Sequence, residues 1–245
     1  MSKQNIFDNE TFFEGYKSIR YRELNSNTVY EIPALFSMMP DLCGKKVLDM
    51  GCGFGEHCKK FVESGAAKVL GIDISEKMLD VARTENADER IEYVNMPIED
   101  IDRLDEKFDL VVSSLALHYV EDFPGVVKKV YNLLTPGGTF IFSQEHPLNT
   151  SKVAWIKDEN GEKTGVHIAN YGVEGLREST WFVDGVKKYH RMFSTVINAL
   201  SENGFIIKKV IEPMPSEELL HEHPEYKSEL HKPLFLIVKA EKEKI

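Results

Sequence analysis

The chain predicts an α/β fold built on a doubly wound, mostly parallel sheet, and three observations carry that prediction. Five apolar strand-like runs alternate with helix-like segments within residues 40–145. The first run, Val47-Leu-Asp-Met50, ends in Gly51-Cys-Gly-Phe-Gly55, with three glycines at alternate positions. Such alternation implies parallel strands joined by right-handed crossovers, because each helix must return the chain to the same sheet edge. A long segment, 146–193, then separates strand five from the last helix.

The elements follow in order. Lys68-Val-Leu-Gly-Ile-Asp73 is the second strand, and Ser75 is placed to cap the helix behind it. Ile91–Asn95 is the third, and Phe108–Ser114 the fourth. The next helix has Val126, Val127, Val130, Leu133 and Leu134 on one stripe, closed by Thr135-Pro-Gly-Gly138, before strand Thr139–Ser143. A helix over Ser194–Asn203 ends at Gly204, followed by strands Phe205–Ile211 and Pro233–Lys239.

Glycines spaced as in 51–55 let backbone approach a nucleotide-like ligand closely. Asp49, two residues before them, would repel a pyrophosphate and welcome a cation. The third glycine also falls one residue early for the Gly-x-Gly-x-x-Gly of a dinucleotide site. Both points favour S-adenosylmethionine, a sulfonium without phosphate, over NAD. An acid at Asp73 can grip both ribose hydroxyls and fits either nucleoside, and Met78 is placed to cover the adenine.

Asp49–Gly55 resembles motif I of the class I (Rossmann-like) S-adenosylmethionine-dependent methyltransferases, and the Pro-Gly-Gly turn before strand five is a second likeness. The resemblance spans residues 40–145 and 194–240. It implies a seven-stranded sheet whose final strand is inserted antiparallel. It also implies cofactor contacts from Asp49, Gly51, Cys52 and Gly53, from Asp73, Ile74 and Met78, and from Ser114. In the family the loop after strand three holds the adenine, which points to Ile98 and Glu99; this chain has Met96 and Pro97 where an acid is frequent. In related enzymes an N-terminal helix crosses the cofactor, and Phe12, Phe13, Tyr16 and Ile19 recur at helical spacing. Tyr16, Tyr21 and Arg22 are therefore candidate contacts to the cofactor carboxylate, the alternative being an aromatic stripe packed on the core.

Composition narrows the partners. A formal charge of −10 over 245 residues, with no Lys/Arg block longer than two, argues against nucleic acid as substrate. Cys43, Cys52 and Cys58 have neither zinc-ligand nor disulfide-scaffold spacing. No secretory leader or membrane-length apolar run is present, so a cytoplasmic protein is expected. The organisation expected is one domain over 1–245: an N-terminal helical lid (1–39), a cofactor-binding core (40–145), a substrate-lid insertion (146–193) and a C-terminal helix with two strands (194–245).

The insertion carries turn signals at Asn160-Gly161 and Asp184-Gly185. It falls at the carboxyl ends of the strands, where α/β sheets bind ligands, and reads as a substrate lid or as an edge decoration. Methyl transfer requires an oriented nucleophile and, for a hydroxyl or protonated amine, a base. Candidate bases are His146, His190 and Glu145, with Tyr171 and Tyr189 as positioning groups; His146 reads equally as a loop-bonding histidine, and His118 as structural. Neither an Asn/Asp-Pro-Pro-aromatic quartet nor a Pro-Cys pair is present, which disfavours nucleobase methylation. His221 and His223 at i, i+2 diverge on a helix, so no metal is expected. Ser114–Val120, Glu145-His-Pro147, Tyr189-His-Arg191 and Met214–Glu218 resemble a group of small bacterial and fungal methyltransferases, implying methylation of O, N or S on a small molecule. A protein or RNA methyltransferase and a cofactor-binding sensor without transfer activity are the alternatives.

Overall fold

A computed structural model describes residues 4–22 and 24–244. Helices α1 (Glu10–Arg20) and α2 (Ile32–Phe36) precede the sheet. Strands β1 (Lys46–Met50), β2 (Lys68–Asp73), β3 (Ile91–Asn95), β4 (Phe108–Ser114) and β5 (Leu134–Glu145) are parallel neighbours in the order β5-β4-β1-β2-β3. Their crossovers carry α3 (Glu56–Glu63), α4 (Glu76–Glu85) and α5 (Phe123–Leu133). After β5 come α6 (Pro147–Thr150) and the hairpin strands β6 (Lys152–Lys157), β7 (Lys163–Ala169), β8 (Gly175–Trp181) and β9 (Val183–His190). Helix α7 (Phe193–Glu202), β10 (Phe205–Ile211), α8 (Glu217–Glu222) and β11 (Phe235–Lys242) complete the chain. The sheet therefore has seven strands, ordered β10-β11-β5-β4-β1-β2-β3, and β11 runs antiparallel to both neighbours.

The central strands are mostly apolar because helices cover both of their faces. On one face Phe123, Val127 and Val130 of α5 meet Phe140 and Phe142 of β5, with Val196 and Leu200 of α7 beside them. On the other, Leu35, Phe61 and Val62 cover Val47, Leu110 and Ile141. Local capping fixes where the crossover helices start: Ser75 Oγ accepts the Met78 N–H (3.1 Å) and Asp122 accepts the Gly125 N–H (2.9 Å).

Two local expectations change. Strand five begins at Leu134, not Thr139; the Pro-Gly-Gly segment lies within it, opposite a register break between Phe108 and Leu110. In the second hairpin, Asp184-Gly185 is not the turn. Phe182, at φ +59°, makes the reversal, and Gly185, at φ +76°, sits at the register shift that follows. A glycine there permits a bulge as readily as a turn, and spacing alone does not separate the two. The two hairpins form small sheets of their own, and among the described residues no backbone hydrogen bond joins them to the main sheet. Among the described residues no helix is long and apolar enough to cross a membrane.

Candidate active site

Beyond β1 the chain folds under itself: the Gly51 and Cys52 N–H groups both donate to the Ile72 carbonyl, at 2.8 and 3.0 Å. This reversal needs a left-handed residue, and Gly51 supplies it at φ +73°. A Cβ on Gly51 would lie 2.5 Å from Ala116 Cβ, whereas one on Gly53 would meet nothing within 4 Å, because Gly53 faces open space. At the end of β2, Asp73 Oδ2 accepts the Gly53 N–H and Oδ1 the Ser75 N–H, both at 2.9 Å. These bonds fix its carboxylate beside the loop.

Gly51, Gly53, Asp73, Ile74 and Met78 line one cavity together with Ile98, Glu99 and Ser114. Tyr16 of α1 closes it, and Cys52 lines an adjoining pocket. Asp73 and Glu99 are its titratable carboxylates, and no lysine or arginine lines it among the described residues. Such a wall suits a nucleoside that carries no phosphate.

Three sequence candidates lie elsewhere. Asp49 is 1% exposed beneath the loop, where Cys58 Sγ donates to its Oδ2 at 3.3 Å; it lines none of the cavities. Tyr21 is exposed, with its hydroxyl on Glu85 (2.8 Å) and its ring stacked on Phe54, and Arg22 is exposed next to it. The basic residue that faces inward is Arg20, which lines two cavities and pairs with Glu56. It stands one helical turn after Tyr16, a spacing that places both on one face and could have singled it out.

A second cavity, about 300 Å³, shares Phe7, Tyr16, Leu115 and Tyr119 with the first. Phe7, Tyr16, Tyr119, Trp181 and Phe235 give it aromatic walls, and His118, Glu145 and Asn149 contribute polar groups. Phe7 meets Tyr16 and Tyr119 edge-on at 5.3 and 5.8 Å. Burial and the nearby Lys188 and Arg191 hold His118 down to about 4, so its ring is neutral at pH 7. Its Nδ1 accepts the Glu145 N–H at 3.4 Å, which leaves the proton on Nε2. Burial opposes the charge on Glu145, but the His118 ring where it is protonated, Lys188 by charge and hydrogen bond, and Lys232 together outweigh it and hold the carboxyl below its ordinary value. Lys188 donates to Glu145 Oε1 at 2.5 Å, leaving the other oxygen for a ligand.

The remaining catalytic candidates are tied into the scaffold. His146 caps α6 by accepting the Leu148 N–H at Nδ1 (3.1 Å), and Nε2 meets Glu212 at 2.8 Å. His190 is fully buried between Thr150 Oγ1 and the Tyr171 carbonyl, both at 2.8 Å. The Tyr171 hydroxyl accepts the Phe193 N–H (3.0 Å), and Tyr189 donates to Glu121 (3.3 Å). None of the four lines a cavity. Polar residues after strand five serve chain reversals as well as chemistry, and here the reversals claim them. His146→Ala should therefore cost about 1–3 kcal/mol of stability through the lost cap and buried bond. Thermal unfolding would show it, while turnover should stay within about twofold, since no hydrogen bond to a reacting group is lost. A turnover loss on the order of a hundredfold would instead make His146 the base.

Residues 48–142 match the methyltransferase domain family. A crystal structure of a proposed S-adenosylmethionine-dependent methyltransferase from Listeria monocytogenes is 43% identical, covers 87% of this chain and 96% of its own, and superposes with a TM-score of 0.81. An S-adenosylmethionine-dependent methyltransferase from Mesorhizobium loti is 42% identical, with coverages of 86% and 97% and a TM-score of 0.79. The chain belongs to the S-adenosylmethionine-dependent methyltransferases. A ubiquinone biosynthesis O-methyltransferase of Idiomarina loihiensis is 30% identical over 67% of this chain and 66% of its own length.

The cofactor of a methyltransferase is a cation, and the carboxyls near its site answer to that. Burial pushes Asp49 and Glu31 up to about 7 and Asp73 up to about 6. A bound sulfonium and ammonium favour their ionised forms, so binding should release protons, and affinity should fall as pH drops through 7 towards 6. Calorimetry with S-adenosylmethionine at pH 6.5, in two buffers of different ionisation enthalpy, reads that release directly. Identical heats in both buffers would show that these carboxyls do not sense the ligand.

Proposed function

We propose that this methyltransferase transfers its methyl group to O, N or S of a small organic molecule held in the aromatic cavity, and that the acceptor carries a flat, unsaturated ring. The observation carrying this reading is the shared wall: Tyr16, Leu115 and Tyr119 border both cavities, so an acceptor among the rings would sit next to the donor site. Aromatic walls favour planar guests through offset and edge-to-face contacts. About 300 Å³ is at the small end of ligand pockets and fits a single substituted ring better than a polymer. The relatives agree in part, since they include O-methyltransferases of ubiquinone biosynthesis and one of malonyl-acyl carrier protein.

We place the cofactor over Gly51, Cys52 and Gly53, with Asp73 on the ribose, Met78 and Ile98 against the adenine, Glu99 at its edge, and Tyr16 and Ser114 towards the methionine. Bound S-adenosylmethionine supplies a methyl group already activated by its sulfonium. What remains for the chain is to orient the acceptor, keep water out and take a proton where the acceptor bears one. The oxygen of Glu145 not engaged by Lys188 is the acceptor of that proton, and His118, protonated at Nε2, is a donor to the same guest.

The test is transfer from methyl-labelled S-adenosylmethionine into a fractionated cell extract. Label in a small-molecule fraction, with an aromatic or quinonoid acceptor by mass, is the expected result. Label in protein or RNA overturns the acceptor class and leaves the fold untouched. No transfer to any fraction, with binding intact, would favour a sensor.

A further inference from the structure

Lys232 is a buried charge that methyl transfer itself does not use. It is 5% exposed, and the one hydrogen bond that its ammonium makes among the described residues goes to Asn149 Oδ1, at 2.5 Å. Trp155 of the first hairpin backs it, with the ammonium 5.7 Å from the ring centroid. Burying an ammonium costs stability that one hydrogen bond does not return. An ammonium donates and cannot accept, which settles the amide: its oxygen faces Lys232, and the group left for the cavity is the NH2. Asn149 lines the aromatic cavity, and that NH2 has no partner among the described residues. The same device acts on Glu145, four residues earlier, where Lys188 donates to Oε1 and leaves the other oxygen. Lys232 also acts by charge on Glu145, so the two pinned groups share one neighbourhood. His118 Nε2 completes the set, since the bond of this ring to Glu145 runs through Nδ1. Beside Glu145 the cavity therefore presents one carboxylate oxygen and two N–H donors, and the lysines that fix them stand outside its lining.

We propose that Asn149 is a specificity-determining residue and Lys232 its positioning residue. The NH2 of Asn149, together with His118, holds a carbonyl or ether oxygen of the acceptor, while Glu145 faces the group to be methylated. The acceptor is thus a ring with two polar groups, one that gives up a proton and one that only accepts hydrogen bonds. A ring with a hydrocarbon group in the second place leaves a fixed donor unpaired and out of water, and such sites reject the analogue that lacks the partner. Without Lys232 the amide is free to turn over and offer its oxygen instead, and the selection is lost. The assignment rests on the reading of the aromatic cavity as the acceptor site and adds to it what that site demands of its guest.

Two pairs of isosteric phenols provide the test: 2-methoxyphenol against 2-ethylphenol, and 3-methoxyphenol against 3-ethylphenol. Each is titrated by ligand-observed NMR into the protein saturated with S-adenosylhomocysteine. Within a pair an ether oxygen replaces a methylene, and apolar walls alone favour the ethyl compound. The unaltered protein should prefer the methoxy member of at least one pair by about tenfold, the effect of one well-placed hydrogen bond. Asn149→Asp keeps a partner for Lys232 but has no N–H to give, and should remove that preference. Lys232→Met should bring it to within about twofold of parity, and Lys232→Arg, which still donates to the amide, should retain most of it. S-adenosylhomocysteine affinity within about twofold of the unaltered protein shows that each variant folds. A preference untouched in Asn149→Asp, or an unaltered protein that favours the ethyl members, overturns the assignment and leaves the aromatic acceptor site standing. A preference lost as fully in Lys232→Arg as in Lys232→Met would make Lys232 part of the packing against Trp155 and overturn its positioning role. If none of the four phenols bound, the aromatic acceptor site and this assignment would fall together.

Discussion

Asp73→Ala should weaken S-adenosylhomocysteine binding by about two to three orders of magnitude. A carboxylate that accepts two ribose hydroxyls contributes hydrogen bonds of the charge-assisted kind, about 1.5–3 kcal/mol each. The same change removes the acceptor for the Gly53 and Ser75 N–H groups, so the loop that faces the ligand loosens as well. 5′-Methylthioadenosine should lose as much as S-adenosylhomocysteine, because both carry the ribose. Asp73→Asn, which keeps one acceptor oxygen, should fall between the alanine variant and the unaltered protein. If titrations showed Asp73→Ala within threefold of the unaltered protein, the ribose would not be held here.

Gly51→Ala should be as damaging by a different route. Its φ of +73° costs an L-residue about 1–2 kcal/mol. The new Cβ would lie 2.5 Å from Ala116 Cβ, an atom fixed directly to backbone that cannot rotate away. With overpacking at about 1–3 kcal/mol, the loop must shift and carry its two bonds to Ile72 with it. A melting temperature lower by roughly 5–15 °C and a large loss of cofactor binding are expected together. Gly53→Ala separates the two effects. At φ +54° it carries the same backbone cost of about 1–2 kcal/mol, but its Cβ would enter open space, so it should lose less stability than Gly51→Ala while the ligand loses room. Melting curves with and without S-adenosylhomocysteine distinguish the variants; equal unfolding of both would mean that the contact with Ala116 is not what constrains Gly51.

The fold could be read from the sequence because its signals are local and repeat. β2 and β4 are mostly apolar runs bounded by polar turns, β3 is shorter and half-polar at the sheet edge, and helix α5 displays its buried stripe at a 3.6-residue period. The glycine loop and Asp73 were legible for a related reason: a backbone reversal demands glycine, and a strand end fixes the acid that follows it. Other features depend on the meeting of distant segments. Arg20 rather than Arg22 faces inward because of the phase of α1, and one residue of uncertainty in a helix turns a side chain by about 100°. Asp49 is a carboxylate in the right loop, yet β1 directs it beneath the floor, so the charge assigned to it at the ligand belongs to the neighbourhood as a whole. His146 caps a local turn, as one reading of its sequence allowed, but its second bond, to Glu212, is 66 residues away, and His190 is held by Thr150 40 residues away and by Tyr171 19 residues away, distances that no local pattern reports. His118 shows the opposite case, since a histidine that read as structural borders the aromatic cavity.

The two hairpins between β5 and α7 share no backbone hydrogen bonds with the main sheet, yet Trp181 from their second pair stands in the wall of the aromatic cavity. Trp181 also meets Phe12 and Tyr16 edge-on, and Lys188 of the same hairpin holds Glu145. The hairpin is thus joined to the core through side chains alone, at the positions where the core meets the cavity. Exchanging it for a relative's would alter that wall and loosen Glu145 and Tyr16 together.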